Sequence, residues 1–345
     1  MVIGGNAPIA IQSMTNTDTH NIEATLQQVR ALEAAGCDVV RLTVPDMKAA
    51  ETIYALKEAG VRVPLVADIH FDYRVAVACA ERGVDKIRIN PGNIGGEDRV
   101  KAVVDACRAH GVPIRIGVNG GSLEKHILEK YGAPTPEALV ESALYHTKLL
   151  EKFDFYNTVI SLKVSEVGAM IAANRALAEC CDYPLHLGVT EAGGAAMGSI
   201  KSAIGIGALL SDGIGDTIRV SLTADPVEEI AAAKRILSAL TIEGQSGLNV
   251  VSCPTCGRTK INLIELAARF DEAVKREGLD DLPVRVALMG CVVNGPGEAR
   301  EADIGICGGD GEALLIAKGE ILRKIPEDRV IETLIGELKK MKDRA

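Results

Sequence analysis

The sequence has no tryptophan, and aromatic residues make up only 3% of its 345 residues. Its core must therefore be built from Val, Ile, Leu and Ala, which together with 35 glycines suits an α/β enzyme with short turns. No apolar run is long enough to span a bilayer, which excludes a membrane-spanning helix. The net charge of −9 argues against a general nucleic-acid-binding surface.

Histidine is also scarce, and none of the six histidines lies after His186. A metal site built from the last third of the chain must therefore use thiolate or carboxylate ligands. Nine cysteines in a chain of this length, behind an N-terminus unlike a signal peptide, indicate a reducing compartment rather than a disulfide framework. We expect a cytoplasmic protein.

Short β-rich runs alternate with helical patterns through the first 240 residues. Gly36, Gly60, Gly83 and Gly111 each follow a predicted helix, where a residue in the left-handed conformation commonly ends it. Eight strands in strict alternation with helices predict a (β/α)8 TIM barrel, with a doubly wound open sheet as the alternative fold. The predicted strands are Ile9–Ser13, Val39–Val44, Leu65–His70, Lys86–Asn90, Ile114–Val118, Thr158–Val164, Leu185–Thr190 and Thr217–Leu222.

A second, smaller domain is predicted after residue 240. Thr241–Leu248 is rich in glycine and serine and predicts a linker. We therefore predict two domains, residues 1–240 and 241–345, of which the second is a small α/β unit. Its predicted elements are an amphipathic helix at Ile261–Arg276, strands at Val284–Met289 and Asp303–Ile306, a hairpin around Gly319 and a closing helix at Arg329–Lys342.

Charged and polar side chains mark the ends of the predicted barrel strands, where TIM barrels place their catalytic groups. Five of them are cations with aliphatic neighbours, and burying such charges is expensive without a partner. Any one arginine could form a structural ion pair, but too few acids lie at the same level to neutralise five. A multiply charged anion such as a diphosphate is therefore expected. These candidate substrate-binding or catalytic residues are Arg41, Asp68, His70, Arg88, Arg115, Asn119, Lys163, Thr190, Glu191, Arg219 and Ser221.

Asp68, His70 and Glu191 of this set are candidates for proton handling or for hydrogen bonds to substrate hydroxyls. For His70 a structural hydrogen bond is an equally good interpretation. His146 falls in a helical pattern and is expected at the surface, whereas His186 lies within a predicted strand and is expected to pack there.

The last four cysteines form the most distinctive pattern in the chain. Cys253 and Cys256 stand three positions apart in Cys-Pro-Thr-Cys, and Cys291 lies shortly before Gly-Pro-Gly-Glu298. A zinc ribbon would need a second Cys-x-x-Cys or a histidine pair, so this donor set favours an iron–sulfur cluster. Counted from the residues alone, the fourth ligand would be Cys307, with Glu298 a solvated charge.

Three motifs together resemble those of the 4-hydroxy-3-methylbut-2-en-1-yl diphosphate synthase family. Cys253-Pro-Thr-Cys256-Gly-Arg and Gly290-Cys-Val-Val-Asn-Gly-Pro-Gly-Glu298-Ala are similar to its cluster segments, and Ile11-Gln-Ser-Met-Thr-Asn-Thr17 is similar to its opening motif. The resemblance extends over essentially the whole chain. It implies a TIM barrel followed by a small α/β iron–sulfur cluster domain. It also implies an oxidoreductase that opens 2-C-methyl-D-erythritol 2,4-cyclodiphosphate on a [4Fe-4S] cluster, in the non-mevalonate route to isoprenoids.

The resemblance also assigns roles. Glu191 matches the family's active-site glutamate, and Asn294 matches a residue that hydrogen-bonds a substrate oxygen, although an asparagine tolerated in a turn is an alternative. An external one-electron donor, a flavodoxin or a ferredoxin, is implied. So is a homodimer in which the cluster of one subunit caps the barrel of the other. The implied cluster ligands are Cys253, Cys256, Cys291 and Glu298.

Two other classes of protein remain open from the sequence. One is a zinc-stabilised binding module attached to a barrel, against which the acidic charge and the lack of a second Cys-x-x-Cys both count. The other is a zinc-free phosphosugar isomerase or aldolase, which would explain the cations but leave the second domain without a purpose.

Overall fold

The structure is a computed structural model that describes residues 1–240, 247–293 and 295–344. The chain divides into two compact units, Met1–Ile236 and Leu237–Ala345. Most of the predicted linker lies in residues 241–246, outside the described residues, so the domain boundary at 240 stays a prediction. Within the described ranges, no helix combines the length and the apolar character that crossing a bilayer requires.

The first unit is built on eight parallel strands, whose hydrogen-bonded order follows the chain around one sheet. A parallel bridge between Ile160 and Leu185 joins the sixth strand to the residue before the seventh, which brings the two edges together. The predicted TIM barrel is therefore confirmed over the open sheet. The strands are β1 (Ala10–Met14), β2 (Val39–Thr43), β3 (Leu65–Asp68), β4 (Lys86–Ile89), β5 (Ile114–Asn119), β6 (Thr158–Lys163), β7 (His186–Leu187) and β8 (Thr217–Ile218).

Helices connect these strands, and their ends follow the capping residues in the sequence. Asn21 and Asp46 each accept a hydrogen bond from a backbone N–H of the helix that follows. Gly36 and Gly60 have φ angles of 85° and 79°, as predicted for the residues that end these helices. The helices are α1 (Ile22–Ala34), α2 (Met47–Glu58), α3 (Tyr73–Glu81), α4 (Pro91–Ile94), α5 (Glu97–His110), α6 (Lys125–Tyr131), α7 (Pro136–Glu151), α8 (Val167–Ala178), α9 (Ala195–Ser211) and α10 (Pro226–Ala239).

The inside of the barrel changes from apolar to polar along the strands. Ala10, Val39 and Val66 form a small buried cluster near the strand beginnings. Because strand side chains alternate with a period of two, the next residues on the same faces are Gln12, Arg41 and Asp68. The sequence thus places a polar layer directly above an apolar floor.

β7 and β8 are much shorter than predicted, with two residues each. The aliphatic pattern continues beyond them, but β7 ends at Leu187 and β8 ends at Ile218. A Cβ at Gly188 would lie 2.6 Å from the carbonyl oxygen of Arg219, so the two backbones approach closely at this point. Thr190 and Ser221 consequently lie on loops rather than on strands.

The second unit is a five-stranded mixed sheet with helices packed against it. Phe270, Val286, Ile306 and Leu334 belong to its main buried cluster. The predicted hairpin around Gly319 is present, whereas the first strand was not predicted. In sheet order the strands are β13 (Glu320–Pro326), β12 (Glu312–Ala317), β11 (Ile304–Gly308), β10 (Arg285–Met289) and β9 (Asn249–Ser252), and the helices are α11 (Leu263–Glu277), α12 (Gly295–Glu298) and α13 (Val330–Lys342).

Candidate active site

A fully buried carboxylate, Asp68, orients two of the predicted cations. Asp68 Oδ2 forms an ion pair with Arg41 Nη2 at 2.9 Å, and Oδ1 accepts a hydrogen bond from Arg88 Nη1 at 3.0 Å. Burial alone would raise the pKa of Asp68, but the charges of Arg41 and Arg88 outweigh it and lower the pKa to about 2. Asp68 is therefore ionised at neutral pH and serves as a fixed counter-charge rather than as a proton donor.

The position of Arg88 requires a glycine on the neighbouring strand. Arg88 Nη2 donates a hydrogen bond to the carbonyl oxygen of Gly117 at 3.1 Å. A Cβ at Gly117 would lie 2.5 Å from that Nη2 and closer still to Nε, so any side chain there would force the guanidinium to move. Glycine at this place in β5 therefore lets the guanidinium lie flat across the strand.

Arg219, just beyond β8, is held by a buried carboxylate on α10. Its Nε and Nη2 donate to the two carboxylate oxygens of Glu229, each at 3.2 Å. Glu229 also accepts hydrogen bonds from Ser13 Oγ at 2.7 Å and from the N–H of Leu222 at 3.1 Å. The bidentate geometry fixes the plane of the guanidinium. The sequence interpretation missed Glu229, because nothing in a helix that opens with Asp-Pro indicates which acid faces the barrel.

Arg115 is the most deeply buried of the five cations. It is the second residue of β5 and 1% exposed, so it lies below the strand end where the sequence interpretation placed it. Nη1 donates to Gln12 Oε1 at 3.2 Å, but within the described residues Nε, Nη2 and the amide nitrogen of Gln12 have no hydrogen-bond partner. Burial, together with the charges of Arg41 and Arg88, lowers the pKa of Arg115 well below its usual value.

Lys163 completes the set at the end of β6 and is also buried. Burial, followed by the charges of Arg115 and Arg41, lowers its pKa well below the usual value. In the described part of the chain, no carboxylate lies within ion-pair distance of Lys163 or of Arg115. Five cations thus share two carboxylates, Asp68 and Glu229, and the excess positive charge would be relieved by a bound anion.

The loops after β7 and β8 lie together at the C-terminal end of the barrel. The N–H of Thr223 donates to the carbonyl oxygen of Gly193 at 2.9 Å. Glu191 is exposed and has a φ angle of 52°, in the left-handed region that non-glycine residues seldom adopt. Such strain clusters at functional sites. α9 begins directly after this loop, and the N–H groups of its first turn are suited to binding an anion.

The remaining predicted barrel residues also lie beyond or at strand ends. His70 is exposed, and its charge contributes to lowering the pKa of Asp68, so the two side chains are near each other. Asn119, Thr190 and Ser221 are half-buried.

The structure also tests what the sequence predicted for two histidines outside the site, His146 and His186. His186 is buried and its Nδ1 lies 2.7 Å from Thr217 Oγ1, as expected for packing within the barrel. The prediction that His146 lies at the surface is wrong, because it is fully buried and pairs with Glu124. The helical period places His146 on the same face of α7 as Ala143, which is buried.

In the second unit, the Cys-Pro-Thr-Cys segment directly follows β9, and a turn at residues 257–258 comes after it. Thr255 has a φ angle of 66°, and the N–H of Cys256 donates to Thr259 Oγ1 at 3.1 Å. Cys253 is half-buried, whereas Cys256 is exposed. Hydrogen bonds from the backbone and the side chain of Arg258 lower the pKa of Cys256, which favours the thiolate that binds metals.

The other two predicted ligands lie in the same region of this unit. Cys291 follows β10, and Glu298 ends α12. The pKa of Arg258 is raised first by its hydrogen bond to Cys256 and further by the charges of Cys291 and Glu298. The described residues do not bring three His, Cys, Asp or Glu side chains together as a formed metal-binding group. The ligand set therefore stays a prediction, and Asn294 lies outside the described residues.

Cys307 differs from the other three cysteines in being completely buried in β11. Its sulfur packs against the backbone, because a Cβ at Gly295 would lie 2.6 Å from it. Burial, followed by the charges of Cys291 and Glu298, raises the pKa of Cys307 to about 12. These contacts describe a small core residue.

Comparison with known proteins covers both units. The GcpE TIM-barrel domain matches residues 1–234, and the GcpE protein C-terminal domain matches residues 249–340. Over 339 residues the chain is 57% identical to the 4-hydroxy-3-methylbut-2-en-1-yl diphosphate synthase (flavodoxin) of Ruminiclostridium cellulolyticum, covering 98% of this chain and 95% of that protein. It is 58% identical to the synthase of the same name from Caldanaerobacter subterraneus, covering 98% and 94%. Among solved structures, dihydropteroate synthase from Stenotrophomonas maltophilia aligns with a TM-score of 0.50 at 15% identity, over 67% of this chain and 93% of that one. That likeness concerns the fold alone.

Proposed function

The chain belongs to the GcpE family, and from this premise we propose that it reductively opens 2-C-methyl-D-erythritol 2,4-cyclodiphosphate to 4-hydroxy-3-methylbut-2-en-1-yl diphosphate in isoprenoid biosynthesis. Relatives that share more than half of their residues with it over nearly the whole chain carry this enzyme's name. The ring opening breaks one C–O bond and loses a hydroxyl group as water, and it consumes two electrons and the protons that form that water.

The observation that carries the proposal is the excess of positive charge inside the barrel. The five predicted cations share two carboxylates, Asp68 and Glu229, so this group of described side chains carries three more positive than negative charges. A cyclic diphosphate carries about two negative charges. The opened ester carries about three at neutral pH, because its new terminal phosphate ionises a second time with a pKa near 6. The positive charge inside the barrel therefore complements the negative charge that develops as the ring opens. Interactions that strengthen towards the transition state are the ones that accelerate a reaction.

Among the described side chains that would bind the diphosphate, some are held by carboxylates and others are not. Asp68 and Glu229 hold three guanidinium groups in place before the substrate arrives, so little reorganisation accompanies binding. Arg115 and Lys163 have no carboxylate partner within the described ranges, and their charged forms would be stabilised by the diphosphate. We assign the exposed Glu191 to positioning or protonating the oxygen that leaves. Further contacts to the phosphates and hydroxyls are assigned to His70, Asn119, Thr190 and Ser221, and to Asn294.

We propose that Cys253, Cys256, Cys291 and Glu298 hold a [4Fe-4S] cluster. The donor set fits such a group, because Arg258 favours the thiolate of Cys256 and the charges of Cys291 and Glu298 reach the same guanidinium. When bound, the cluster would supply single electrons and an iron that can accept a substrate oxygen. A carboxylate holds iron less firmly than a thiolate does, so Glu298 would be the ligand that yields.

The relatives' name supports flavodoxin as the electron donor, and ferredoxin is the other donor that the sequence suggested. We further propose a cytoplasmic homodimer in which the cluster ligands of one subunit serve the barrel of the other. No disulfide joins any of the nine cysteines, all of which lie in the described part of the chain, and this suits a reducing compartment. Mixing two inactive variants, Cys256→Ser and Lys163→Met, should restore part of the activity once subunits exchange. Absence of recovery after verified exchange would favour closure within one chain.

The experiment that tests the function is anaerobic purification of the full chain followed by turnover with reduced flavodoxin, and in parallel with reduced ferredoxin. We expect a brown protein with broad visible absorption, bound iron and sulfide, and conversion of the cyclic diphosphate. A colourless protein that contains zinc would instead support the binding-module interpretation. A brown protein that reduces no cyclic diphosphate with either donor would refute the proposed reaction.

A further inference from the structure

Glu124 lies in the loop after β5, immediately before α6, and its carboxylate binds two side chains of α7. It accepts a hydrogen bond from Ser142 Oγ at 2.7 Å and pairs with Nε2 of His146. The side chain of His146 is fully buried, and that of Glu124 is 12% exposed. Glu124 makes no side-chain hydrogen bond to cap α6. Its carboxylate therefore joins a loop to a helix rather than stabilising its own helix.

The loop after β4 packs against the same pair of side chains. Gly92, in α4, donates its N–H to Asn90 Oδ1 at 3.1 Å. A Cβ at Gly92 would lie 3.0 Å from Oε1 of Glu124 and 3.3 Å from Cε1 of His146. The backbone of α4 thus touches the pair through a position that has no side chain. The loops after two neighbouring strands meet at Glu124 and His146.

These two strands carry residues of the proposed anion site. Arg88 on β4 and Arg115 on β5 are register partners, and Asn119 is the last residue of β5. The contact at Gly92 lies four residues beyond Arg88, and Glu124 lies five residues beyond Asn119. A shift of either loop would therefore displace a strand end that presents an anion-binding side chain.

The charge of Glu124 indicates whether this residue holds a loop in place or binds the anion itself. Burial alone would raise the pKa of Glu124, but its hydrogen bonds from His146 and Ser142 outweigh it and lower the pKa to about 2. The carboxylate is therefore ionised at neutral pH and would repel a phosphate. A largely buried carboxylate that pairs with two side chains of one helix is instead suited to holding the loop after β5 against α7.

We propose that Glu124 and His146 are positioning residues, which hold the loops after β4 and β5 together and thereby align Arg88 and Asn119 with the diphosphate. The identity of the substrate in this inference rests on the proposed function. Neither residue contacts the anion, so their effect should fall on its binding and not on the cluster.

The sharpest test changes the contact without removing a charge. Gly92→Ala adds a methyl group against Glu124 and His146, whereas Gly96→Ala, in the same loop, adds one where nothing lies within 4 Å. Binding of inorganic pyrophosphate to the cluster-loaded full chain would be measured by calorimetry. We expect Gly92→Ala to weaken binding about tenfold and to raise KM similarly, with kcat and the cluster spectrum little changed. Gly96→Ala should match the wild type.

A second pair of variants tests the side chain directly. Glu124→Gln keeps the shape and the Ser142 contact, and it should weaken pyrophosphate binding in the same direction. Its control is Glu141→Gln on α7, the helix that also carries Ser142 and His146, where the carboxylate binds Lys130 and Tyr131 at the surface. A folded Gly92→Ala or Glu124→Gln protein with wild-type pyrophosphate affinity would overturn the proposal, and a lower melting temperature with unchanged affinity would mean a structural role alone. If the wild type fails to open the cyclic diphosphate, the proposed function fails, while the pyrophosphate comparison still decides this inference.

Discussion

Replacing Arg115 should have opposite effects on the stability of the protein and on anion binding. Arg115 is 1% exposed. Among the described residues, its guanidinium donates to Gln12 and has no carboxylate within ion-pair distance. Arg219 provides the matched comparison, because it is held bidentately by Glu229. The two arginines differ in the partner that would be left behind, which is the neutral amide of Gln12 for Arg115 and the carboxylate of Glu229 for Arg219. We therefore compare Arg115→Leu with Arg219→Leu.

The expected magnitudes follow from these partners. Arg115→Leu loses one neutral-acceptor hydrogen bond and leaves Gln12 Oε1 unsatisfied, which costs roughly 1–3 kcal/mol. It also removes a buried charge without a counter-charge, and replacing buried ions by apolar groups is often worth about 1–4 kcal/mol. The substrate-free protein should thus be as stable as the wild type or more stable. Arg219→Leu leaves the buried carboxylate of Glu229 with its hydrogen bonds from Ser13 and Leu222 but without its cation partner, which should cost about 3–5 kcal/mol.

Two measurements on each variant separate these effects. Urea unfolding without ligand reports stability, and calorimetry with inorganic pyrophosphate reports binding. The Arg115→Leu variant loses a charge-assisted contact worth about 1.5–3 kcal/mol. Its affinity for pyrophosphate should therefore be roughly ten- to hundredfold weaker than that of the wild type. Destabilisation of Arg115→Leu by as much as Arg219→Leu, or wild-type affinity for pyrophosphate, would refute the reasoning that Arg115 is an uncompensated anion ligand.

Three further predictions concern other parts of the chain. Burial, followed by the charge of Arg115, lowers the pKa of buried Lys86 to about 8. The unfolded chain, with a lysine pKa near 10.4, therefore binds more protons between about pH 8 and 10.4, and wild-type stability rises with pH there. Lys86→Met should accordingly be more stable than the wild type at pH 7, by up to ~3 kcal/mol, and urea unfolding at pH 10 should show that advantage shrinking. Gly117→Ala should displace Arg88 and weaken pyrophosphate binding, whereas an unchanged calorimetric affinity would contradict the close packing. Cys307→Ser should keep its iron, sulfide and most turnover, while Glu298→Ala loses turnover; a Cys307→Ser protein that assembles no cluster would reverse the ligand assignment.

The barrel could be predicted because its strands and helices are each marked by residues close together in the sequence. Aliphatic strands recur between helices whose caps are visible in the sequence, such as Asp46 and Gly60, and most predicted strand bounds lie within two residues of the observed ones. The ends of β7 and β8 could not be predicted, because the aliphatic pattern outlasts the hydrogen-bonded ladder. β9 has only four residues, partly exposed, and lacks a continuous apolar run.

The cations of the candidate site could be predicted from the sequence, but most of their partners could not. Cations on buried strands are conspicuous, so Arg41, Arg88 and Arg219 could be named from their neighbours. Their partners are a matter of tertiary structure. Asp68 shares a strand pattern with them, but Glu229 reaches Arg219 from a helix that carries a second, adjacent glutamate. His146 was misplaced for the same reason, since a buried histidine and a surface histidine look alike until the face of the helix is known.

The close packing of Gly117 under Arg88 constrains how this protein can change during evolution. Any side chain at 117 is incompatible with Arg88 in its present position, whereas loss of Arg88 would open space at 117 for many residues. The order of substitutions therefore matters: a lineage that loses Arg88 first can then fill position 117. Once it has done so, reversion at position 88 alone would not restore the site. Two adjacent strands thus contain a one-way step, through which the ancestral activity is easily lost and recovered only by two coordinated changes.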